Sequence, residues 1–310
     1  MATAQAPGGW LHTVRGPVRP EDVGRILPHE HVFCDFSRVS RNLDHVLNDG
    51  ALAVDELVAF RDAGGSLVVD CTPQDLGRDP SGLRRASEGS GVHVVAATGW
   101  YRRAFYPAWI DDTPTSVLAE RMIGELLDGI DGTDIRAGVI GEIGVDRDLL
   151  SAVEERVLRA AARAQQRTGA AIITHASMYP VGLAQLDVLD EEAVDPARVI
   201  IGHADTYLDP DYHDAVLRRG AYLAFDTIAR VHQNPDERRV EAIVRLLDQG
   251  WGARLLLSSD RCFRSDLRAF GGPGYGVVFT AFFDRLRSAG VPDATLDSLT
   301  IDNPRRVLAW

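Results

Sequence analysis

Short runs of aliphatic and β-branched residues recur along this chain, each followed by a stretch whose apolar positions return every third or fourth residue. The runs fall at Gly24 to Leu27, Ser66 to Asp70, Val92 to Ala97, Ala137 to Ile143, Ala170 to Thr174, Arg198 to Gly202, Ala221 to Asp226 and Arg254 to Ser259. This is the rhythm of repeated β-α units around a parallel sheet. The intervening helices carry their own punctuation. Val153, Val157, Ala160, Ala161 and Ala164 mark one face of a helix over Val153 to Thr168, which Gly169 stops. Thr113 followed by Pro114 reads as an N-cap with proline at the first helical position, opening a helix through Leu126.

Eight such units in 310 residues suit a closed (β/α)8 TIM barrel. A doubly wound sheet would more often carry a Gly-rich turn after its first strand, and no GxGxxG stands there. No Pro/Ser-rich linker or repeated block divides the chain, so residues 1–310 are expected to form a single domain. The Gly271-Gly272-Pro273-Gly274 cluster follows the last run and is expected to be a flexible loop at the barrel mouth.

A hydrophobic content of 45% supports a substantial core. The formal net charge of -12 argues against general nucleic-acid binding and leaves small molecules as the expected partners, with a homodimer as the expected assembly. The opening stretch, Met1 to Leu11, lacks the basic and apolar segments of a leader, and no later run approaches the roughly 18 apolar residues of a membrane span. The expectation is a soluble, cytoplasmic protein with no membrane partner. Cys34, Cys71 and Cys262 are scattered and odd in number, which reads as three reduced thiols that pack. The chain contains no lysine, so all 33 Lys+Arg residues are arginine. Schiff-base, pyridoxal phosphate and P-loop chemistry all need a lysine and are excluded.

Ionisable residues stand at the ends of the first, fourth, fifth, sixth and eighth runs, where barrel enzymes assemble their sites. Alternation along a strand puts His29 and His31 on one side and Glu30 on the other. An HxH triplet alone is a weak signal, strengthened here by the apolar residues on either side. Glu142 sits within Gly138 to Gly144, an otherwise buried strand, where either a metal or an arginine such as Arg147 would offset the cost of desolvation. His175 and His203 each close a run of similar composition, and Asp260 closes the last in the same manner. Each histidine alone reads as a satisfied core residue, whereas the two on successive strands favour metal binding.

Four histidines and two carboxylates exceed what one catalytic zinc ion needs, which points to a dinuclear site with Glu142 as the bridge. Two divalent ions, with zinc the expected metal, would hold a hydroxide between them, and Asp260 would serve both as ligand and as proton acceptor.

At these residues the sequence resembles the phosphotriesterase family of the amidohydrolase superfamily, from about His12 to the end. The resemblance is greatest to its phosphotriesterase homology protein branch. It rests on Leu27 to Val32, Thr98 to Tyr101, Gly129 to Thr133, Gly141 to Gly144, Ile201 to Asp205, Phe225 to Ile228, Gly271 to Tyr275 and Asp302 to Arg306. It implies an amidohydrolase-type barrel in which His29, His31 and Asp260 hold an inner metal, His175 and His203 an outer one, and Glu142 bridges them. Organophosphate-hydrolysing members bridge with a carbamylated lysine, whereas the homology-protein branch uses glutamate, the bridge open to a chain without lysine. Phosphotriesterase proper also passes protons from its last strand's aspartate through a histidine after the seventh. Thr227 occupies that place here, with Asp205 either contacting the site or structural.

The resemblance implies a metal-dependent hydrolase. Lactones, carboxylic esters or amides of a small anionic substrate are favoured, since the family includes lactonases; phosphotriester or phosphoester hydrolysis is one alternative, and ligand binding without turnover another. The anionic preference is read from Arg78, Arg102, Arg103, Arg230, Arg261, Arg264 and Arg268 in the mouth loops. Arg261 and Arg264, nearest Asp260, are the expected substrate contacts together with Tyr101, while Trp100 either lines the pocket or packs.

Overall fold

The eight runs become eight parallel strands in the computed structural model, which describes residues 9–310. They are β1 (Arg25–Glu30), β2 (Gly65–Asp70), β3 (His93–Thr98), β4 (Val139–Gly144), β5 (Ile172–His175), β6 (Val199–Gly202), β7 (Tyr222–Phe225) and β8 (Leu255–Leu257). Met1 to Gly8, part of the opening stretch read as leaderless, lie outside the described residues. Each strand pairs with its sequence neighbour from β1 to β8, the order of a barrel. The strands are apolar on both faces because both are covered. Helices α1 (Gly50–Asp62), α2 (Pro80–Ser90), α3 (Thr115–Leu127), α4 (Ala152–Thr168), α5 (Gly182–Glu191), α6 (Pro210–Arg218), α7 (Asp236–Asp248) and α8 (Ala281–Ser288) follow the strands in turn.

The helix signals were sound, with one shift. Ser151 and Glu154 form a reciprocal capping box at the start of α4, and Gly169 ends it at φ 84°. At α3 the cap lies one residue later than the sequence suggests. Pro114 is the N-cap, and the Thr113 hydroxyl instead donates to Trp109 O at 2.6 Å. Among the described residues no helix is long and apolar enough to cross a membrane.

Inward-facing residues fill the lower barrel, among them Ile26, Val69, Val95, Ile173, Ile200 and Leu256. Leu11, from a small antiparallel hairpin, and Val307 and Leu308, near the C-terminus, pack into the same cluster. The floor is therefore dry, and polar side chains gather at the C-terminal ends of the strands.

No backbone ladder joins β8 and β1 among the described residues; just past β8 the Asp260 N–H donates to His29 O at 3.2 Å and the His31 N–H donates to Arg261 O at 3.3 Å, and side chains complete the seam. Glu30 is completely buried, and its carboxylate accepts the Ser259 N–H at 2.7 Å, the Arg261 N–H at 2.8 Å and the Ser259 hydroxyl at 2.8 Å. The Ser258 hydroxyl accepts the His29 N–H at 3.0 Å. The residue between the two histidines thus ties the last strand to the first. With the Ser258 hydroxyl, also 2.8 Å from this carboxylate, four donors offset its desolvation.

Candidate metal centre

Strand parity decides what stands above the apolar floor. Ala171 and Ile173 face inward on β5, so His175 does too; Ala224 on β7 is followed at the next inward position by Asp226; Leu256 on β8 leads to Ser258 and Asp260. His203, just past β6, and Asp260, just past β8, take left-handed φ values of 56° and 50°. Strand β4 shifts register between Ile140 and Ile143, and Gly141 permits its close approach to β5, since a Cβ there would lie 2.1 Å from Ile173 O. Glu142 is carried with this irregularity and is 2% exposed.

The four histidines converge on the Glu142 carboxylate, and Asp260 joins through His31. Its Oε1 lies 3.4 Å from His31 Nε2. Its Oε2 lies 2.8 Å from His175 Nδ1, 3.3 Å from His203 Nε2 and 3.4 Å from His29 Nε2. Asp260 Oδ1 is 3.2 Å from His31 Nε2. Two donor groups share the glutamate: His29, His31 and Glu142 on one side, and His175, His203 and Glu142 on the other. Two observations show that these residues fit a metal. His203 Nε2 and His175 Nδ1 face each other at 2.8 Å, and His29 Nε2 is buried without a hydrogen-bond partner. Nitrogen lone pairs aimed at one point beside a carboxylate are what a divalent cation takes.

The other imidazole nitrogens are held from behind. Asp226 places Oδ2 at 2.9 Å from His29 Nδ1 and Oδ1 at 2.9 Å from His203 Nδ1, while His31 Nδ1 is 2.8 Å from Thr72 Oγ1. These contacts fix each ring's orientation and leave its Nε2 free to bind. Asp226 and Thr72 were not singled out from the sequence, although parity counted from Ala224 would have flagged Asp226.

Burial disfavours charge on every group here, and the neighbours overturn most of that effect. It would depress His31 and His203, yet Asp260 and Glu142 bring His31 up to about 9, and Asp226 and Glu142 bring His203 to about 10. Burial would likewise raise Asp226, but His203 and His29 hold it at about 2. Burial, reinforced by His203, takes His175 down to about 4. The cluster's carboxylates therefore demand positive charge, and protons or a metal can meet that demand. A cation bound here releases protons.

Above the cluster lies a cavity of about 270 Å³ with Phe36, Phe105 and Phe263 among its walls and Tyr101, Arg102, Thr227, Arg230 and Gln233 at its polar positions. The Tyr101 ring lines this cavity and meets His175 edge to face at 4.9 Å, while Trp100 packs against Trp109. The arginine expectations need correction. Arg261 is 1% exposed, with its guanidinium on Ile228 O and 3.2 Å from Asp266, and it does not line the cavity. The left-handed turn at Asp260 and the capture of the Arg261 N–H by Glu30 accompany this course. Arg264 donates to Val46 O at 2.9 Å and lines a separate recess beside Glu56. Arg78 pairs with Glu125, and Arg103 with Asp111. Asp205 is structural: it accepts from Thr227 Oγ1 at 2.7 Å and from Arg239 Nε at 2.7 Å, all three fully buried or nearly so. The three cysteines are buried and unpaired.

Comparison with known proteins agrees with this architecture. The sequence profile described as the phosphotriesterase family matches residues 9–308. The phosphotriesterase homology protein of Escherichia coli is 36% identical over 284 residues, 92% of this chain and 97% of that one. Its crystal structure, with phosphate in the active site, superposes with a TM-score of 0.91, covering 92% of this chain and 99% of that chain. The N-acetyltaurine hydrolase of Tetraodon nigroviridis is 29% identical over 97% of this chain and 98% of its own length. A lactonase from Listeria monocytogenes, 27% identical, reaches a TM-score of 0.91 over 97% of this chain and 99% of that one.

Proposed function

Since this chain belongs to the phosphotriesterase family and is a metal-dependent hydrolase, we propose that it binds two divalent ions, with zinc the expected metal, and cleaves a lactone, carboxylic ester or amide. His29, His31 and Asp260 would hold one ion, His175 and His203 the other, and Glu142 both. The observation that carries this reading is the division of Glu142 between the two donor groups, Oε1 toward His31 and Oε2 toward His175 and His203. Bound at such ligands, a metal pair would supply Lewis acidity toward the scissile group and toward the attacking water.

The protein's own groups handle the proton and the shape. Burial would raise the Asp260 carboxyl, but Arg230, whose Nη2 lies 3.4 Å from Oδ2, together with His31, holds it well below the usual carboxylate range. It is therefore held as the anion, and its place beside the donor cluster is where the proton of an attacking water would pass on its way to the leaving group. The relay of phosphotriesterase proper has no counterpart behind it. Thr227 donates to Asp205, and Asp205 is engaged by Arg239. That closure favours acyl substrates, as do the names of the N-acetyltaurine hydrolase and lactonase relatives.

A hydrolysis panel of lactones, esters, N-acyl amides and phosphotriesters on metal-analysed protein tests the reading. Acyl turnover is expected, with Asp260→Asn lowering kcat far more than metal content. Turnover of phosphotriesters alone would overturn the acyl assignment, and stoichiometric binding without turnover of any member would overturn the enzyme assignment.

A further inference from the structure

We propose that Arg102 is the anion-recognition residue of this site, and that the substrate is a short acyl compound whose far end carries a carboxylate or sulfonate. Among the mouth arginines it alone combines a place on the cavity wall with a guanidinium that makes no hydrogen bond to the described residues. Arg78, Arg103 and Arg261 are paired with carboxylates, and Arg264 lies outside the cavity. Arg230 lines the cavity but is 4% exposed, and its Nη2 is taken by Asp260 O, Cys262 Sγ and Asp266. The Arg102 side chain makes no hydrogen bond among the described residues, and its Nε–H is buried without a partner. The nearest carboxylate is Asp146 at 3.6 Å, beyond hydrogen-bond reach, and its other oxygen accepts the Ala104 N–H at 2.8 Å.

The residue is also held in place. Its guanidinium carbon sits 4.6 Å from the centroid of the Tyr101 ring and 5.7 Å from that of Phe105, so the cation rests on two aromatic faces while its donors stay available. The backbone beneath is clamped from both sides: both Asp75 carboxylate oxygens accept the Tyr101 N–H, at 3.0 and 3.1 Å, and Tyr101 O accepts the Gly144 N–H at 2.5 Å. Gly144 has no Cβ, which at that position would lie 2.6 Å from Arg102 Cγ and 2.7 Å from Tyr101 O. The Tyr101 ring in turn touches His175. An anion on Arg102 is therefore about one aromatic ring away from the donor cluster, which limits the substrate to a short arm between its charge and its scissile bond.

For the scissile end only, this inference rests on the hydrolase reading above. The test is calorimetric binding of N-acetyl-β-alanine, its sulfonate counterpart and its neutral amide to the metal-loaded wild type, Arg102→Gln and Arg102→Lys, followed by kinetics on whichever are turned over. The wild type should prefer the anions over the amide by about tenfold or more, the worth of one charge-assisted contact. Arg102→Gln should bring that ratio toward one, Arg102→Lys should restore part of it, and KM should rise in Arg102→Gln while kcat changes little. A ratio unchanged in Arg102→Gln, or absent from the wild type, overturns the proposal. An Arg102-dependent preference without turnover would sink the hydrolase reading alone, whereas turnover without Arg102 dependence would sink this one alone.

Discussion

Asp226 holds His203 twice, through the backbone N–H at 2.8 Å and through Nδ1 at 2.9 Å, both on the same carboxylate oxygen. Its other oxygen lies 2.9 Å from His29 Nδ1, so one buried side chain orients a donor from each half of the cluster. Asparagine offers a single acceptor and can serve only one of the two rings. Asp226→Asn should weaken metal affinity roughly 10- to 100-fold, as loss of such an outer contact does elsewhere. Chelator competition on the two proteins measures this, and equal affinities would show that the rings are held without Asp226.

Glu30 makes the complementary prediction about stability. Glu30→Gln replaces an acceptor by an NH2 facing the donors of Ser259 or Arg261, and a buried donor then goes unmet. Urea melts should show a loss of about 1–3 kcal/mol. An unchanged midpoint would mean that the Ser258 bonds and the backbone bonds of His29 and His31 hold the β8–β1 seam without Glu30.

Much of this was legible in the amino-acid order. All eight strands lie within three residues of the runs that predicted them, because a strand buried on both faces leaves an uninterrupted apolar signature. The last run ended early: Arg254 to Ser259 was expected, but the strand stops at Leu257, and the Ser258 hydroxyl bonds β1. The six expected ligands lie around one cluster because each stands at or just past the C-terminal end of a strand, His175 by simple parity and Glu142 and His203 through a register shift and a left-handed turn. Side chains farther beyond a strand end escape that rule. Arg261 follows a left-handed turn at Asp260, and Arg102 owes its place to Asp75 and Gly144, contacts across the barrel that no local spacing announces. Glu30 was read correctly as facing away from the histidines, but its partners more than two hundred residues on were not visible.

Asp75 gives a pH dependence. Burial pushes its carboxyl up to about 7, against the pull of the Tyr101 N–H. An ordinary aspartate titrates near 4, so between those values the native chain binds more protons than the unfolded one. Stability from this group is full below about pH 4 and is lost as pH rises through about 7. Asp75→Asn should flatten the decline in unfolding free energy over that range in denaturant melts. An equally steep decline in the variant would assign it to another group.

The account turns on Glu142 serving both halves of the donor cluster. Elemental mass spectrometry of metal-loaded wild type and Glu142→Gln tests that most directly. About two divalent ions per chain are predicted for the wild type, falling to about one or fewer in the variant together with loss of hydrolysis. A single ion in the wild type, or a variant that keeps both ions and its activity, would contradict it.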